Sequence, residues 1–345
     1  MSFMRSFVLG AIVCCAVVFA LGSFIEPVSG DLTRLGAVAE RSWGWNAPQT
    51  KPAITSRLAT DQASILVIGD SFSDPNVWQT VLENELGRFT QSYSWNAVPN
   101  FGCLKEKLHK ISQQAPQVTD LILEVVERDF VPRFTGVDSP AACAAFEVAS
   151  PGARAAAPIS TDHRPIFALK IQDPIYVLKA IYGEMRDYVR LTSSGDAVIA
   201  PLLDDRIFSN KRSRWLLYYA GDLNKNSWQA NQVTAAIKNL KGLSDEATTL
   251  GIRLTVVVIP DKSSVYAEYV EGPALPIIQY PLWELLTHAG LSSVNVRDLY
   301  RNALPSQIDL YLPNDTHLGF NGYNLLAKAI AGKFQQQTSG HKTSE

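Results

Sequence analysis

The sequence predicts an α/β fold built on a parallel sheet, and three apolar runs carry that prediction. They lie in Ile65–Ile68, Asp120–Arg128 and Arg253–Pro260, each short, rich in β-branched residues and nearly free of alternation. Strands buried on both faces read this way. Segments with helical spacing separate further candidate strands, which gives the strand–helix–strand rhythm of a parallel sheet. At 345 residues and 46% hydrophobic content the chain can bury a sizeable core. A net charge of -2 without a basic stripe gives no support to a nucleic-acid partner.

The chain opens on a different kind of segment. Met1 to Ser6 carry one positive charge, at Arg5, and Phe7 to Ile25 are uncharged and mostly apolar. That length is close to the ~20 residues that cross a bilayer. Residues 1–30 are therefore expected to be an inner-membrane anchor with the body in the periplasm, the positive end staying inside. Ala20-Leu21-Gly22 also suits cleavage of a signal peptide. Val13 before Cys14 is too bulky for lipid attachment. Both remaining readings export the body, and an oxidising compartment makes Cys103 and Cys143 a disulfide candidate, with two separate buried thiols as the alternative. No Cys/His spacing matches a zinc site, and neither a metal nor a cofactor is expected.

Residues 31–63 read as a neck that packs on the domain, because Trp43 and Trp45 would be costly to leave in water. After the first strand, Val77 to Leu86 has helical spacing and ends at Gly87, a suitable C-cap. Ser92 to Val98 is a second strand, Leu104 to Gln113 a helix and Asp120 to Arg128 a third strand. The rhythm then breaks, and 130–243 reads as an insertion over the sheet. It holds a loose loop over Pro140–Pro158, a helix over Asp173–Leu191 and a basic-aromatic patch over Arg212–Tyr219. A helix over Gln229–Leu250 runs out of it into the fourth strand, Arg253 to Pro260. A helix over Leu282–His288, a fifth strand over Val294–Leu299 and a helix over Gly322–Phe334 complete a main domain of residues 64–333. Residues 334–345 read as a polar tail.

The chemistry sits at two ends of this domain. The first strand runs into Gly69-Asp70-Ser71, and a serine at the C-terminal mouth of a parallel strand lies where open α/β sheets place their ligands. Alone, this triplet reads as a turn with an N-cap. A serine hydroxyl needs a base, and the base needs a carboxylate to fix its tautomer. Of five histidines, His109 falls on a polar helix face, His288 at a helix end, His341 in the tail and His163 in the insertion. His317 has Asp315 two residues before it, in a short turn that lets the carboxylate reach Nδ1 while Nε2 faces the nucleophile. Helix capping by Asn314-Asp315-Thr316 is the bland alternative, and the paired Gly-Asp-Ser tips the balance to catalysis by Ser71, His317 and Asp315.

Gly69-Asp70-Ser71 and Asp315-Thr316-His317 in this order resemble the SGNH (GDSL-type) hydrolase superfamily, with the closer likeness to its alginate O-acetyltransferase branch. Asp and His are one residue apart where common members have two. The third strand ends Glu124-Val125-Val126-Glu127-Arg128 where they carry Gly-x-Asn-Asp. Pro260-Asp261-Lys262, continuing to Val265-Tyr266, is similar to a Pro-x-Lys stretch of that branch. The likeness covers about residues 60 to 130 and 250 to 333. It implies a flavodoxin-like, three-layer fold of about five parallel strands with a large insertion between the third and fourth.

The resemblance further implies an extracytoplasmic O-acetyltransferase that acetylates hydroxyls of a bacterial polysaccharide through an acetyl-serine, with a membrane-bound O-acyltransferase as donor. The oxyanion donors it suggests are the Ser71 amide, Gly102 and, in place of the missing asparagine, Arg128, for which an ion pair with Glu127 or a neighbouring carboxylate is an equal alternative. Lys262 and Tyr266 are its substrate-binding candidates, with a cap on the sheet edge as the alternative for Lys262. Trp215, Tyr218, Tyr219 and Trp228 could stack on sugar rings, although an ordinary core accounts for them better. The same triad would serve a carbohydrate acetyl esterase. A non-catalytic polysaccharide-binding or assembly component is the alternative of another class.

Overall fold

A computed structural model describes residues 2–23, 26, 28–51, 63–98, 101–136, 160–162, 178, 181–183, 185, 195–272, 280–304 and 306–341. The strands are β1 (Gln49–Lys51), β2 (Ala63–Gly69), β3 (Phe89–Ser94), β4 (Asp120–Val126), β5 (Ser160–Asp162), β6 (Ala197–Pro201), β7 (Trp215–Tyr219), β8 (Arg253–Ile259) and β9 (Ser292–Ser293). The helices are α1 (Ser2–Ser23), α2 (Asp31–Gly36), α3 (Glu40–Trp43), α4 (Val77–Leu86), α5 (Gly102–Gln114), α6 (Phe130–Thr135), α7 (Ala230–Thr249), α8 (Lys262–Tyr266), α9 (Leu282–His288), α10 (Val296–Ala303) and α11 (Phe320–His341).

The central sheet has five strands in the order β3-β2-β4-β8-β9, all parallel. In chain order that is second, first, third, fourth, fifth, the flavodoxin-like arrangement. Its topological switch point lies between the first and third strands, here β2 and β4. The pleat divides the apolar runs between two layers. Ile65, Val67, Ile122, Val126, Val257 and Ile259 pack with α4, α10 and α11 on one face. Leu66, Ile68, Leu121, Leu123, Val256 and Val258 pack with α5, α7 and α9 on the other. Full burial of each such side chain contributes roughly 1.5–3 kcal/mol.

The expected elements are present, with instructive shifts. α4 and α9 fall on the predicted residues, and Gly87 closes α4 at φ 63°. The second strand begins at Phe89, three residues before the expected start, because Ala63–Gly69 draws Phe89–Ser94 into register. The fifth strand is Ser292–Ser293, and the predicted Val294–Leu299 stretch enters α10 instead. Asn295 caps that helix by accepting from the Asp298 amide, and Val296 and Tyr300 are buried one turn apart. The final helix runs to His341, past the expected tail boundary.

Between β4 and β8 lies the insertion, where the β6–β7 hairpin and α6 are described. α7 follows and lies against the sheet. The loop expected over Pro140–Pro158 lies outside the described residues, as does much of Asp173–Leu191. The neck packs down as expected: Leu32, Val38 and Trp43 are buried with Ala197 and Leu217 of the hairpin.

The first segment corrects an expectation. Among the described residues no helix is long and apolar enough to cross a membrane. The anchor over residues 1–30, the periplasmic placement read from it and the membrane-bound acyl donor reached through it are accordingly set aside.

Candidate active site

Ser71 leaves β2 at the switch point, in a turn whose shape is set by Asp70. The Asp70 carbonyl accepts from the amides of Ser73 (2.9 Å) and Asp74 (3.2 Å). Its carboxylate accepts from the Phe72 amide (3.0 Å) and, across the switch point, from the Val126 amide at the end of β4 (2.8 Å). The turn is thereby tied to two strands, and Phe72 is buried while Ser71 faces solvent. Gly69 has a steric reason to be glycine. A Cβ there would stand 2.2 Å from Ser73 Oγ and 2.5 Å from Glu124 Oε2.

Asp315 and His317 come from the loop between α10 and α11, which folds back on itself. Tyr311 bridges Leu318, the Leu312 amide donates to the His317 carbonyl (3.1 Å), and the Asp315 amide donates to the Leu312 carbonyl (3.2 Å). Asp315 Oδ1 accepts from the His317 amide at 2.9 Å and lies 2.6 Å from His317 Nδ1. His317 Nε2 lies 2.8 Å from Ser71 Oγ. The Phe72 ring packs against the imidazole with centroids 5.0 Å apart.

The electrostatics suit a base. Burial disfavours the His317 cation, but the hydrogen bond and charge of Asp315, with the charges of Asp31 and Asp70, outweigh it and hold the pKa above the ordinary value. Burial would raise Asp315, yet its bonds and charge pairing with His317 bring it down to about 2. A proton on Nδ1 satisfies Asp315 Oδ1 and leaves the Nε2 lone pair toward Ser71 Oγ. Asp31, Asp315 and His317 offer ligand atoms within 4.8 Å of one another, a spacing open to a cation. Their oxygens are already engaged by Thr316, His317 and the Asp31 amide, so the cluster reads as a hydrogen-bonded relay.

The other predicted residues divide. The Ser71 amide makes no hydrogen bond among the described residues and stays available to an oxyanion. Gly102 is the first residue of α5, beyond the C-terminal end of β3. Arg128 is committed elsewhere, to Asp261 (2.8 Å) and Asp222 (3.4 Å), and stacks over Tyr219. These partners are neighbouring carboxylates, while Glu127 pairs with the buried Lys225 (3.0 Å). Lys262 and Tyr266 are both buried, and for Lys262 this favours the structural alternative. Lys262 Nζ donates to the carbonyls of Leu312 (2.8 Å), Pro313 (3.0 Å) and Asp315 (3.1 Å) and so holds the catalytic loop. The Tyr266 hydroxyl accepts from the Tyr311 amide (3.3 Å) in the core.

Of the aromatic candidates, Tyr218 is buried and Trp228 nearly so, whereas Trp215 and Tyr219 are partly open. Cys103 is buried and disulfide-bonded, Cys14 and Cys15 are free, and Cys143 lies outside the described residues. His163 also lies outside them.

Residues 211–345 match the family model described as an SGNH hydrolase-like domain, acetyltransferase AlgX. The chain carries an SGNH hydrolase-like domain. The matched stretch holds Asp315 and His317, and the sheet brings Ser71 to them from outside it. The match supports an enzyme of the hydrolase or transferase type. A comparison with curated proteins finds no match.

Two residues of this SGNH-like site escaped sequence reasoning. Glu124 lies on β4 directly beneath the turn, its Oε2 accepting from the Asp70 amide (3.0 Å) and from Ser73 Oγ (2.7 Å). A lone acidic residue inside an apolar strand run was the available signal. Asp31 approaches from the neck, and nothing in its local sequence marks it.

Proposed function

We propose that this protein is a serine O-acetyltransferase that moves acetyl groups onto hydroxyls of a polysaccharide. The observation that carries the reading is the hydrogen-bonded chain from Ser71 Oγ through His317 to Asp315 at the mouth of the parallel sheet. Ser71 Oγ attacks the acetyl carbonyl of a donor ester and gives its proton to His317 Nε2. The leaving oxygen takes that proton as the carbon–oxygen bond breaks, and an acetyl-serine remains. A sugar hydroxyl then attacks the same carbonyl with its proton passing to Nε2. Ser71 recovers the proton as the acetyl group departs. In this reading the Ser71 amide donates to both oxyanions. The acetyltransferase family match over residues 211–345 supports transfer over simple hydrolysis.

The test incubates the full chain with a chromogenic acetyl ester, with and without oligosaccharide acceptors, and reads products by mass spectrometry. Acetylated oligosaccharide that disappears in Ser71→Ala supports the transferase. Acetate release indifferent to every acceptor assigns the site to an esterase. No turnover and no adduct on Ser71 makes the chain a binding component.

A further inference from the structure

The neck does more than cover the core. Gly30 and α2 lie directly on the loop that carries the acid and the base. The Asn314 carbonyl accepts from the amides of Leu32 (3.1 Å) and Thr33 (3.3 Å). A Cβ on Gly30 would stand 2.1 Å from that same oxygen, so only glycine permits this approach. Glu40, buried at the start of α3, accepts from Asn314 Nδ2 (2.6 Å), Ser29 Oγ (2.6 Å) and Thr33 Oγ1 (2.5 Å). At the centre of this clasp is Asp31. Its Oδ1 accepts from the Thr316 amide (2.8 Å), its Oδ2 accepts from the Thr316 hydroxyl, and its amide donates to Asp315 Oδ2 (3.2 Å). Asp31 Oδ2 lies 3.7 Å from His317 Nδ1.

We infer that Asp31 is a positioning residue of the active site, a second carboxylate that fixes the Asp315–His317 loop from the neck and adds its charge behind the imidazole. This rests on the reading of His317 as the base. Two carboxylates at one imidazole carry a cost that a surface pair would avoid: burial and the neighbouring Asp315 charge raise the Asp31 pKa against the pull of its Thr316 bonds and of His317. The full electrostatic setting of His317 is Asp315 on its own loop, Asp31 from α2 and Asp70 from the turn after β2. Lys262 of α8 faces Asp315 and Asp31, and Tyr323 of α11 faces Asp315 and Asp70. Removing the Asp31 charge leaves one fewer anion to stabilise the imidazolium formed when Ser71 is deprotonated.

The test compares wild type with Asp31→Asn and Asp31→Glu in the full chain. The His317 titration is followed by NMR, with the resonance assigned by its loss in His317→Gln. The pH profile of kcat/KM is read on a chromogenic acetyl ester. Asp31→Asn is expected to move both the titration and the rising limb to lower pH by about one unit, the low end of what an opposite charge within ~4–6 Å does, and to lower the plateau several-fold. Asp31→Glu keeps the charge and should return the limb toward wild type. Asp31→Ser replaces Asp31→Asn in both readouts should that variant not fold. A neutral variant that leaves titration and limb where wild type has them overturns the inference, whatever its effect on Tm. A shifted titration in a protein without turnover supports Asp31 as the second carboxylate and removes the acyltransfer reading. An unshifted titration in an active protein does the reverse.

Discussion

His317 Nε2 stands 2.8 Å from Ser71 Oγ although 246 residues separate them. Two independent devices make that distance: Asp70 ties the serine turn to β4, and Lys262 ties the histidine loop to α8. Were either group only a cap or a turn residue, its replacement would cost stability and little else. The expected outcome is the opposite. Ser71→Ala and His317→Ala should each retain the wild-type Tm within a few degrees while acetyl-ester turnover falls at least about 10³-fold, the scale of single triad deletions. Because the two act as a unit, the double variant should be little worse than either alone. Initial rates and thermal melts on the three proteins decide it.

The pH dependence follows from the direction in which His317 is shifted. The base must be neutral to accept the Ser71 proton, so kcat/KM should rise with pH through the His317 pKa. Asp315, Asp31 and Asp70 hold that pKa above the ordinary 6.5. The midpoint of the rising limb is therefore expected above 6.5. Asp315→Asn removes the largest favourable contribution, and also the acceptor that keeps the proton on Nδ1. It should move the limb to lower pH and reduce the plateau about 10³–10⁴-fold. A limb below 6.5 in wild type contradicts the arrangement.

Glu124 gives a stability prediction. It is fully buried under the serine turn, Oε1 has no partner among the described residues, and burial, with the Asp70 charge next, pushes its pKa well above the carboxylate range. Burial also raises Asp70, against the amides of Phe72 and Val126. In the unfolded chain both ionise near pH 4, so from there up to the raised folded value the native state holds more protons and stability falls with rising pH. Glu124→Gln keeps an oxygen for the Asp70 amide and the Ser73 hydroxyl and supplies a permanent N–H. Its Tm should match or exceed wild type at pH 8, with a shallower decline between pH 5 and pH 8. Melts across that range would show a steeper decline if Glu124 were instead stabilised as an anion.

Strand runs and helix spacing made the sheet legible in the sequence, because a residue's burial there depends on its own period. The same locality exposed Asp315-Thr316-His317 and Gly69-Asp70-Ser71. What stayed hidden depends on which distant segment arrives alongside. Val294–Leu299 looks extended by composition, yet Asn295 caps a helix there. Arg128 looks free at a strand end, yet Asp222 and Asp261 meet it from elements 94 and 133 residues away. Lys262 is a substrate candidate only through its motif, and the local sequence does not separate that role from a cap on the sheet edge. The loop folding over it turns the same ammonium inward. Asp31 is the extreme case, its partner Thr316 lying 285 residues distant.

Lys262 supplies the last prediction. Its ammonium is fully buried, with three donors on three carbonyls of residues 312–315, and burial draws its pKa down to about 7 against the charges of Asp315 and Asp31. Lys262→Met fills nearly the same volume but leaves Leu312, Pro313 and Asp315 without a buried donor. A buried acceptor so abandoned costs about 1–3 kcal/mol, and the loop can relieve that cost only by turning toward water. The fold should survive, since the sheet and its two apolar layers are untouched. The loop should not keep its place, so amide exchange at Asp315 and His317 should accelerate and turnover should fall more than about 10-fold. The linkage sign gives a second readout. From about pH 7 to the unfolded value near 10.4 the unfolded chain holds more protons at this lysine, so wild-type stability gains with pH from it and the variant should lack that gain. Unchanged exchange and full activity in Lys262→Met would mean that the Asp315–His317 loop is held by the neck and its own hydrogen bonds alone.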